Sequence, residues 1–262
     1  MTILEAFILG ILQGFTEFLP VSSSGHLVLL QRIFGIEEGL LTFTIVVHVA
    51  TLIPVLFVYY NRIKSLVKNP FQKMTLLLLL GTVPTVIAAL IFSDFIDTLF
   101  TGSFLAFGFV VTGVLLIVTD RIKEGSKEVD EITRKDALVI GLIQAVAIMP
   151  GISRSGSTIS GAVACGVKRE AAVNFSFLLS IPAIAGATVL EIMHVLSGQT
   201  EVGFLFTAPV IVGFFAAMIS GYFAILAMLK IVAASKLHYF AYYLIIVAVL
   251  IFVDQTFTQI VF

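Results

Sequence analysis

The chain has 262 residues, of which 59% are hydrophobic and 12% charged, with a mean hydropathy of +1.13. Soluble domains carry about a quarter charged residues, so this composition excludes an ordinary cytosolic enzyme, a disordered chain, a coiled coil and a disulfide scaffold. With 15 basic against 16 acidic residues the net charge is −1, so no nucleic acid is expected as a partner; the partner implied is the lipid bilayer.

In chain order, Met1–Glu5 lacks the basic region of a cleavable signal peptide, so the first apolar stretch is expected to stay. That stretch, 3–31, is apolar but broken by Pro20 and the run Ser22-Ser23-Ser24-Gly25. Uninterrupted apolar runs follow at 40–60, 74–98 and 103–119, each read as a span. A second broken stretch, 137–165, is interrupted between Pro150 and Gly156, and further spans are expected at 172–196, 205–229 and 238–260. Broken backbone at membrane depth is tolerated only where protein or a watery cavity satisfies it, so both broken stretches are read as re-entrant. The predicted fold is an all-α polytopic membrane protein of six transmembrane helices plus two re-entrant helical hairpins. All of the 15 basic residues except Arg32 and Arg154 fall in four loops, at 61–73, 120–136, 168–169 and 230–236. Six spans put all four on the cytoplasmic side and both termini outside; eight full crossings would split them.

A shift of 131 residues, half the length, superposes the broken stretches: Gly10 on Gly141, Gln13 on Gln144, Ser22 on Ser153, Ser24 on Ser155 and Gly25 on Gly156. The chain therefore reads as one membrane domain, 1–262, made of two repeats, 1–131 and 132–262. Each repeat holds an odd number of spans, so the two insert upside down, an inverted-topology repeat whose hairpin tips can meet near the midplane. Such repeats usually place a ligand at their interface. The plainer reading is close packing of two Gly/Ser-rich helices.

The residues at the breaks favour a ligand. Gln13 and Glu17 are four apart and share a helix face; Pro20 ends that helix, and His26 opens the next. A carboxylate in hydrocarbon needs a partner and a cavity. At the second break Arg154 lies among Ser153, Ser155, Gly156, Ser157 and Thr158, at the start of a half-helix. Arginine among hydroxyls at a helix N-terminus suits phosphate, and pairing with Glu17 is its structural alternative. The whole set suits a diphosphate. Arg154 holds anionic oxygens together with hydroxyls and N–H groups of Ser22, Ser24, Gly25, Ser153, Ser155, Gly156 and Thr158. Glu17 and Gln13 hold a hard divalent cation, Mg2+ or Ca2+. Ser23, His26 or a water attacks phosphorus, and spacing does not choose among them.

Other polar residues read more quietly. His48 is expected to pack through a hydrogen bond inside its span; His194 and His238 lie near span ends. Asp94, Asp97, Glu191 and Asp254 are expected to be solvated, Asn174 and Ser176 to line the interior weakly, and Cys165 to be inert packing.

The two stretches resemble the bacterial undecaprenyl-diphosphate phosphatase, or bacitracin-resistance protein, family. Its first motif, Glu/Gln-x-x-x-Glu followed by Pro-Val-Ser-Ser-Ser/Thr-Gly-His, is matched from Gln13 to His26; its second, Pro-Gly-x-Ser-Arg-Ser-Gly-x-Thr, from Pro150 to Thr158. Phe175–Pro182 also looks like the family's sequence after the second motif. The resemblance implies a membrane phosphatase acting on a polyprenyl diphosphate lipid. It would release the terminal phosphate and recycle undecaprenyl phosphate for cell-wall synthesis, with bacitracin resistance as a consequence. It implies active-site positions at Gln13, Glu17, Ser22, Ser23, His26, Ser153, Arg154 and Thr158. It also implies a divalent cation and a site open to the outer side of the bacterial plasma membrane. Position 13 is Gln where many members have Glu, which shifts weight onto Glu17; Asn174 stands where Arg is expected. A homodimer is left open.

Two other functions fit the architecture. An inverted-repeat transporter or flippase of an anionic lipid would need Arg154 and the helix ends, but not Glu17 and His26 beside Ser23. A nonenzymatic lipid-binding protein would need still less.

Overall fold

The computed structural model describes residues 1–36, 40–100, 102–194, 207–233 and 236–262. Helix α1 (Ile3–Phe18) starts at Thr2, whose hydroxyl accepts the Glu5 N–H while the Glu5 carboxylate accepts the Thr2 N–H. It stops before Pro20, and Leu19 is extended as the residue preceding a proline tends to be. Ser22 then takes φ 69°, a left-handed conformation uncommon for serine, and caps α2 (Ser23–Ile33) by accepting the Gly25 N–H.

Helix α3 (Leu40–Val58) is followed at once by α4 (Tyr60–Lys68), and the segments Thr42–Val58 and Tyr60–Lys68 meet at 88°. Part of the stretch expected as a 61–73 loop is therefore helical. Ile63 and Leu66 of α4 lean on the core while Lys64 and Lys68 are exposed. Next come α5 (Lys73–Ile91), the short α6 (Ser93–Leu99) and α7 (Leu105–Arg121). The second broken stretch is α8 (Arg134–Val146), capped by Thr133, and α9 (Arg154–Ala164), capped by Ser153. The long helices α10 (Arg169–His194), α11 (Ala208–Ala233) and α12 (Leu237–Val253) complete the fold.

Among the described residues four helical segments are long and apolar enough to cross a membrane: Lys73–Ile91, Arg169–Leu190, Ala208–Val232 and Leu237–Thr258. The bent pair α3–α4 makes a fifth if taken as one span. Large apolar side chains such as Phe57, Leu90, Phe107, Phe223 and Phe252 are exposed, as expected of a surface solvated by lipid. The ends of the expected spans at 172–196 and 205–229 reach into 195–206, outside the described residues, as do the side chains of Asp97, Glu191 and His194.

Arg169, expected in a loop, opens α10 and is buried. Its Nη2 donates to the carbonyls of Thr119, Asp120 and Ile122 at 3.2–3.4 Å, and Asp120 lies 3.5 Å from its Nη1. The last carbonyls of α7 have no intrahelical donor, and a guanidinium satisfies them and the negative helix end together. Asp120 also accepts from the backbone N–H and Nδ1 of His238, tying the start of α12 to the end of α7. Asp254, expected to be solvated, folds the C-terminus back by accepting the N–H groups of Ile260, Val261 and Phe262.

Packing is reciprocal. α1 lies along α11 and α8 along α5, while α3 packs on α11 and α10 on α5; α7 pairs with α12 and α3 with α10. Small residues permit the closest approaches, as they do between helices in lipid. A Cβ added to Gly14 would lie 2.0 Å from Ser220 Oγ and 2.4 Å from the Ala217 carbonyl oxygen. Gly14→Ala is therefore expected to cost about 1–3 kcal/mol by overpacking. It should lower the unfolding midpoint of the detergent-solubilised protein, whereas Gly186→Ala, with nothing within 4 Å of the added Cβ, should not.

Candidate active site

The two breaks touch. Ser155 Oγ donates to the Leu19 carbonyl at 3.0 Å, and the Gly156 backbone lies against Pro20. Behind them α7 supplies Gly108, whose missing side chain lets Pro150 and Gly151 approach. It also supplies Thr112, which donates to the Gly151 carbonyl and accepts the Ser153 N–H, both at 3.0 Å. Helices α2 and α9 both begin here, so two helix N-termini with their partial positive charge open at one place.

Glu17, on the last turn of α1, is buried at the centre. Its Oε1 accepts from Arg154 Nη2 at 2.5 Å, across 137 residues of sequence. Its Oε2 accepts from Ser23 Oγ at 2.6 Å and from Gln13 Nε2 at 3.1 Å. His48 Nε2, from α3, stands 3.6 Å from the same Oε2. Among the predicted site residues the structure thus gathers Gln13, Glu17, Ser23 and Arg154 around one carboxylate. Ser22 and Ser24 hydroxyls lie 3.4 Å apart and those of Ser153 and Ser155 3.2 Å apart, lining the two turns, and Gly25 and Gly156 donate to the capping serines.

His26 and Thr158 belong to separate networks. His26 Nδ1 lies 2.8 Å from the Ser22 carbonyl, which can only accept, so this nitrogen carries the proton. Its Nε2 then accepts from Tyr243 Oη of α12 at 2.8 Å, with the two rings nearly parallel. The Thr158 hydroxyl bonds to Ser176 Oγ at 2.6 Å and to carbonyls within α9, supporting that helix from behind.

Two atoms beside Glu17 are buried without a hydrogen-bond partner: Gln13 Oε1, an acceptor, and Arg154 Nη1, a donor. Buried polar atoms are rarely left so, and each such orphan calls for an explanation. An orphan acceptor by a carboxylate suits a cation, and an orphan guanidinium N–H suits an anionic oxygen. No group of three or more His, Cys, Asp or Glu that could hold a metal ion occurs among the described residues. A cation here would therefore rest on Glu17 with neutral donors such as the Gln13 amide, water or substrate phosphate. The arrangement can therefore hold an anion on Arg154 and the helix ends, with Glu17 placed to take a proton from a hydroxyl.

Sequence reasoning passes over three contributors. His48 is expected only to pack, and its Nδ1 does bond the Thr44 carbonyl at 2.7 Å, but the other nitrogen faces Glu17. The histidine inside an apolar run is the available signal. Tyr243 and Thr112 give none, since a Tyr or Thr within a span is commonplace. Asn174 accepts from Tyr59 Oη at 2.7 Å, a bond separate from those of the carboxylate cluster.

Comparison with known proteins places these residues in a family. The family described as bacitracin resistance protein BacA matches residues 6–250. An undecaprenyl-diphosphatase of Carboxydothermus hydrogenoformans is 49% identical over 256 residues, covering 97% of this chain and 98% of that one. Undecaprenyl-diphosphatase 3 of Bacillus cereus is 44% identical over the same coverage, and an undecaprenyl-diphosphatase of Halothermothrix orenii 41%. With both breaks, and the carboxylate they enclose, inside the matched region, the chain belongs to the bacitracin resistance protein family.

Proposed function

We propose that this protein hydrolyses undecaprenyl diphosphate to undecaprenyl phosphate and inorganic phosphate in the bacterial plasma membrane, recycling the wall-polymer carrier and thereby conferring bacitracin resistance. The observation that carries the reading is Glu17 accepting from Ser23 while pairing with Arg154, whose second amino nitrogen is orphaned. Arg154 binds the phosphate oxygens, aided by the N-termini of α2 and α9. Glu17 takes the proton of the attacking hydroxyl, Ser23 or a water in its place, as the anhydride P–O bond breaks and undecaprenyl phosphate leaves. Where Ser23 attacks, a water then cleaves the phosphoserine to give inorganic phosphate. His26 hydrogen-bonds to Ser22 and Tyr243 rather than to Glu17 or Arg154; its Nδ1–H holds the Ser22 carbonyl and so the turn that presents Ser23. A divalent cation, Mg2+ or Ca2+, held by Glu17 and Gln13, would neutralise charge on the phosphate oxygens.

The layout that goes with this reading is six spans and two re-entrant hairpins, with both termini and the site's opening on the outer side. The inverted repeat, 1–131 and 132–262, is supported by the exchange of partners, in which α1 of the first half lies on α11 of the second and α8 of the second on α5 of the first.

The test is phosphate release from undecaprenyl or farnesyl diphosphate by purified protein in detergent, with Mg2+ or Ca2+ and then with EDTA. Release that stops on chelation and returns with metal is the expected result. Folded protein that binds the lipid diphosphate and releases no phosphate would leave the carrier reading in its place.

A further inference from the structure

From the geometry around Glu17 we infer that His48 is a protein ligand of the divalent cation, completing a mixed nitrogen–oxygen site with Glu17 and Gln13. The inference rests on the metal-dependent reading above and adds to it a residue that neither sequence motif contains.

Hydrogen-bond bookkeeping carries it. His48 Nδ1 lies 2.7 Å from the Thr44 carbonyl, an acceptor only, so Nδ1 bears the proton. In the neutral ring Nε2 then presents a lone pair, and it faces Glu17 Oε2 at 3.6 Å. Two lone pairs facing each other at this distance, on a carboxylate that is buried and an imidazole that is a quarter exposed, repel unless a proton or a metal cation lies between them. A ring nitrogen aimed at a metal, with the other N–H donated to a backbone carbonyl, is the arrangement that orients metal-binding histidines generally.

Gln13 is the independent second observation. It is fully buried, and its Oε1 has no partner. The amide oxygen and nitrogen exchange places by a half-turn of the side chain. That turn would set Oε1 where Nε2 now stands, 3.1 Å from Glu17 Oε2, giving up the present bond from Nε2 and leaving Nε2 in the place without a partner. Ligands about 2.1 Å from an octahedral cation and at right angles are about 3 Å apart, so this spacing matches one edge of a coordination shell. Arg154 engages the other carboxylate oxygen, Oε1, and does not compete for the position.

An imidazole in the set changes which ion the site favours. Carboxylate and carbonyl oxygens suit Mg2+, Ca2+ and Mn2+ alike, and an imidazole nitrogen shifts a site toward first-row transition ions, of which Mn2+ is the one that oxygen ligands also hold well. The site should accordingly prefer Mn2+ to Ca2+, and His48→Gln should narrow that preference.

The experiment uses purified full-length protein in detergent with Mn2+ as the probe, followed by pulsed electron paramagnetic resonance and by titration of binding. The expected result is a nitrogen coupling to bound Mn2+ in wild type and in His26→Gln, absent in His48→Gln. His48→Gln should still bind Mn2+, with affinity lower by about tenfold or more. Mn2+ binding that requires Glu17 but shows no nitrogen coupling would overturn the assignment of His48 and leave the metal-dependent reading standing; His48 would then be an imidazolium paired with Glu17. A coupling that persists in His48→Gln would overturn it as well. Absence of any Mn2+ binding, with phosphate release insensitive to EDTA, would sink both.

Discussion

Replacing Glu17 by Gln is expected to reduce phosphate release from a polyprenyl diphosphate by about 10³-fold or more, with little change in the folded yield. The side chain keeps its size and its amide oxygen can still accept from Arg154, so Nη2 keeps a hydrogen-bond partner. What is lost is the proton acceptor for the hydroxyl 2.6 Å away, a contribution typically worth ~10²–10⁴ in rate. The charge facing Gln13 and His48 is lost with it. Both variants remove the counter-ion of Arg154; Glu17→Ala also removes its hydrogen-bond acceptor and is expected to lower stability further, by about 1–3 kcal/mol. Single-turnover phosphate release together with a thermal unfolding midpoint separates the two effects. Near wild-type turnover in the Glu17→Gln variant would remove Glu17 from the chemistry.

Arg154→Lys is the second substitution with a large expected effect. Lysine keeps the charge but loses the planar fork that lets one amino nitrogen hold Glu17 while the other stays available to phosphate. Turnover should fall by about 10²–10³-fold, in the range seen when one oxyanion donor is removed elsewhere. Arg154→Ala should fall at least as far and should also weaken binding of a nonhydrolysable diphosphate analogue, measured by calorimetry. A lysine variant equal to wild type in both turnover and analogue affinity would show that only charge is needed.

The breaks were legible in the sequence because their residues have few other uses. Pro20 follows the end of α1, Gly151 takes a positive φ inside the second break, and serines at 22 and 153 cap the helices that follow. A carboxylate and an arginine inside apolar stretches have few favourable places other than beside each other. Less visible were residues whose roles depend on partners distant in sequence. Tyr243 meets His26 across 217 residues, and nothing local marks it out from Tyr242 or Tyr239. Arg169 looks like any loop cation until α7 ends against it. The bend at Tyr59 was hidden because hydropathy reports how apolar a stretch is and says nothing of its direction.

The pairing of α1 with α11 has a consequence for how the protein is made. The last residue of α1 and the first of α11 are 190 residues apart, Phe18 to Ala208. At synthesis rates of about 5–20 residues per second, the first hairpin waits ~10–40 s for the helix that will flank it. Through most of that time Glu17 has no Arg154 to meet. A re-entrant first stretch, as proposed, is therefore expected to be sheltered by the insertion machinery or to stay near the aqueous surface until the second half arrives. A ribosome stalled after residue 131 should leave the first broken stretch open to water-soluble thiol reagents through a cysteine placed at Ser24, and completion of the chain should close it.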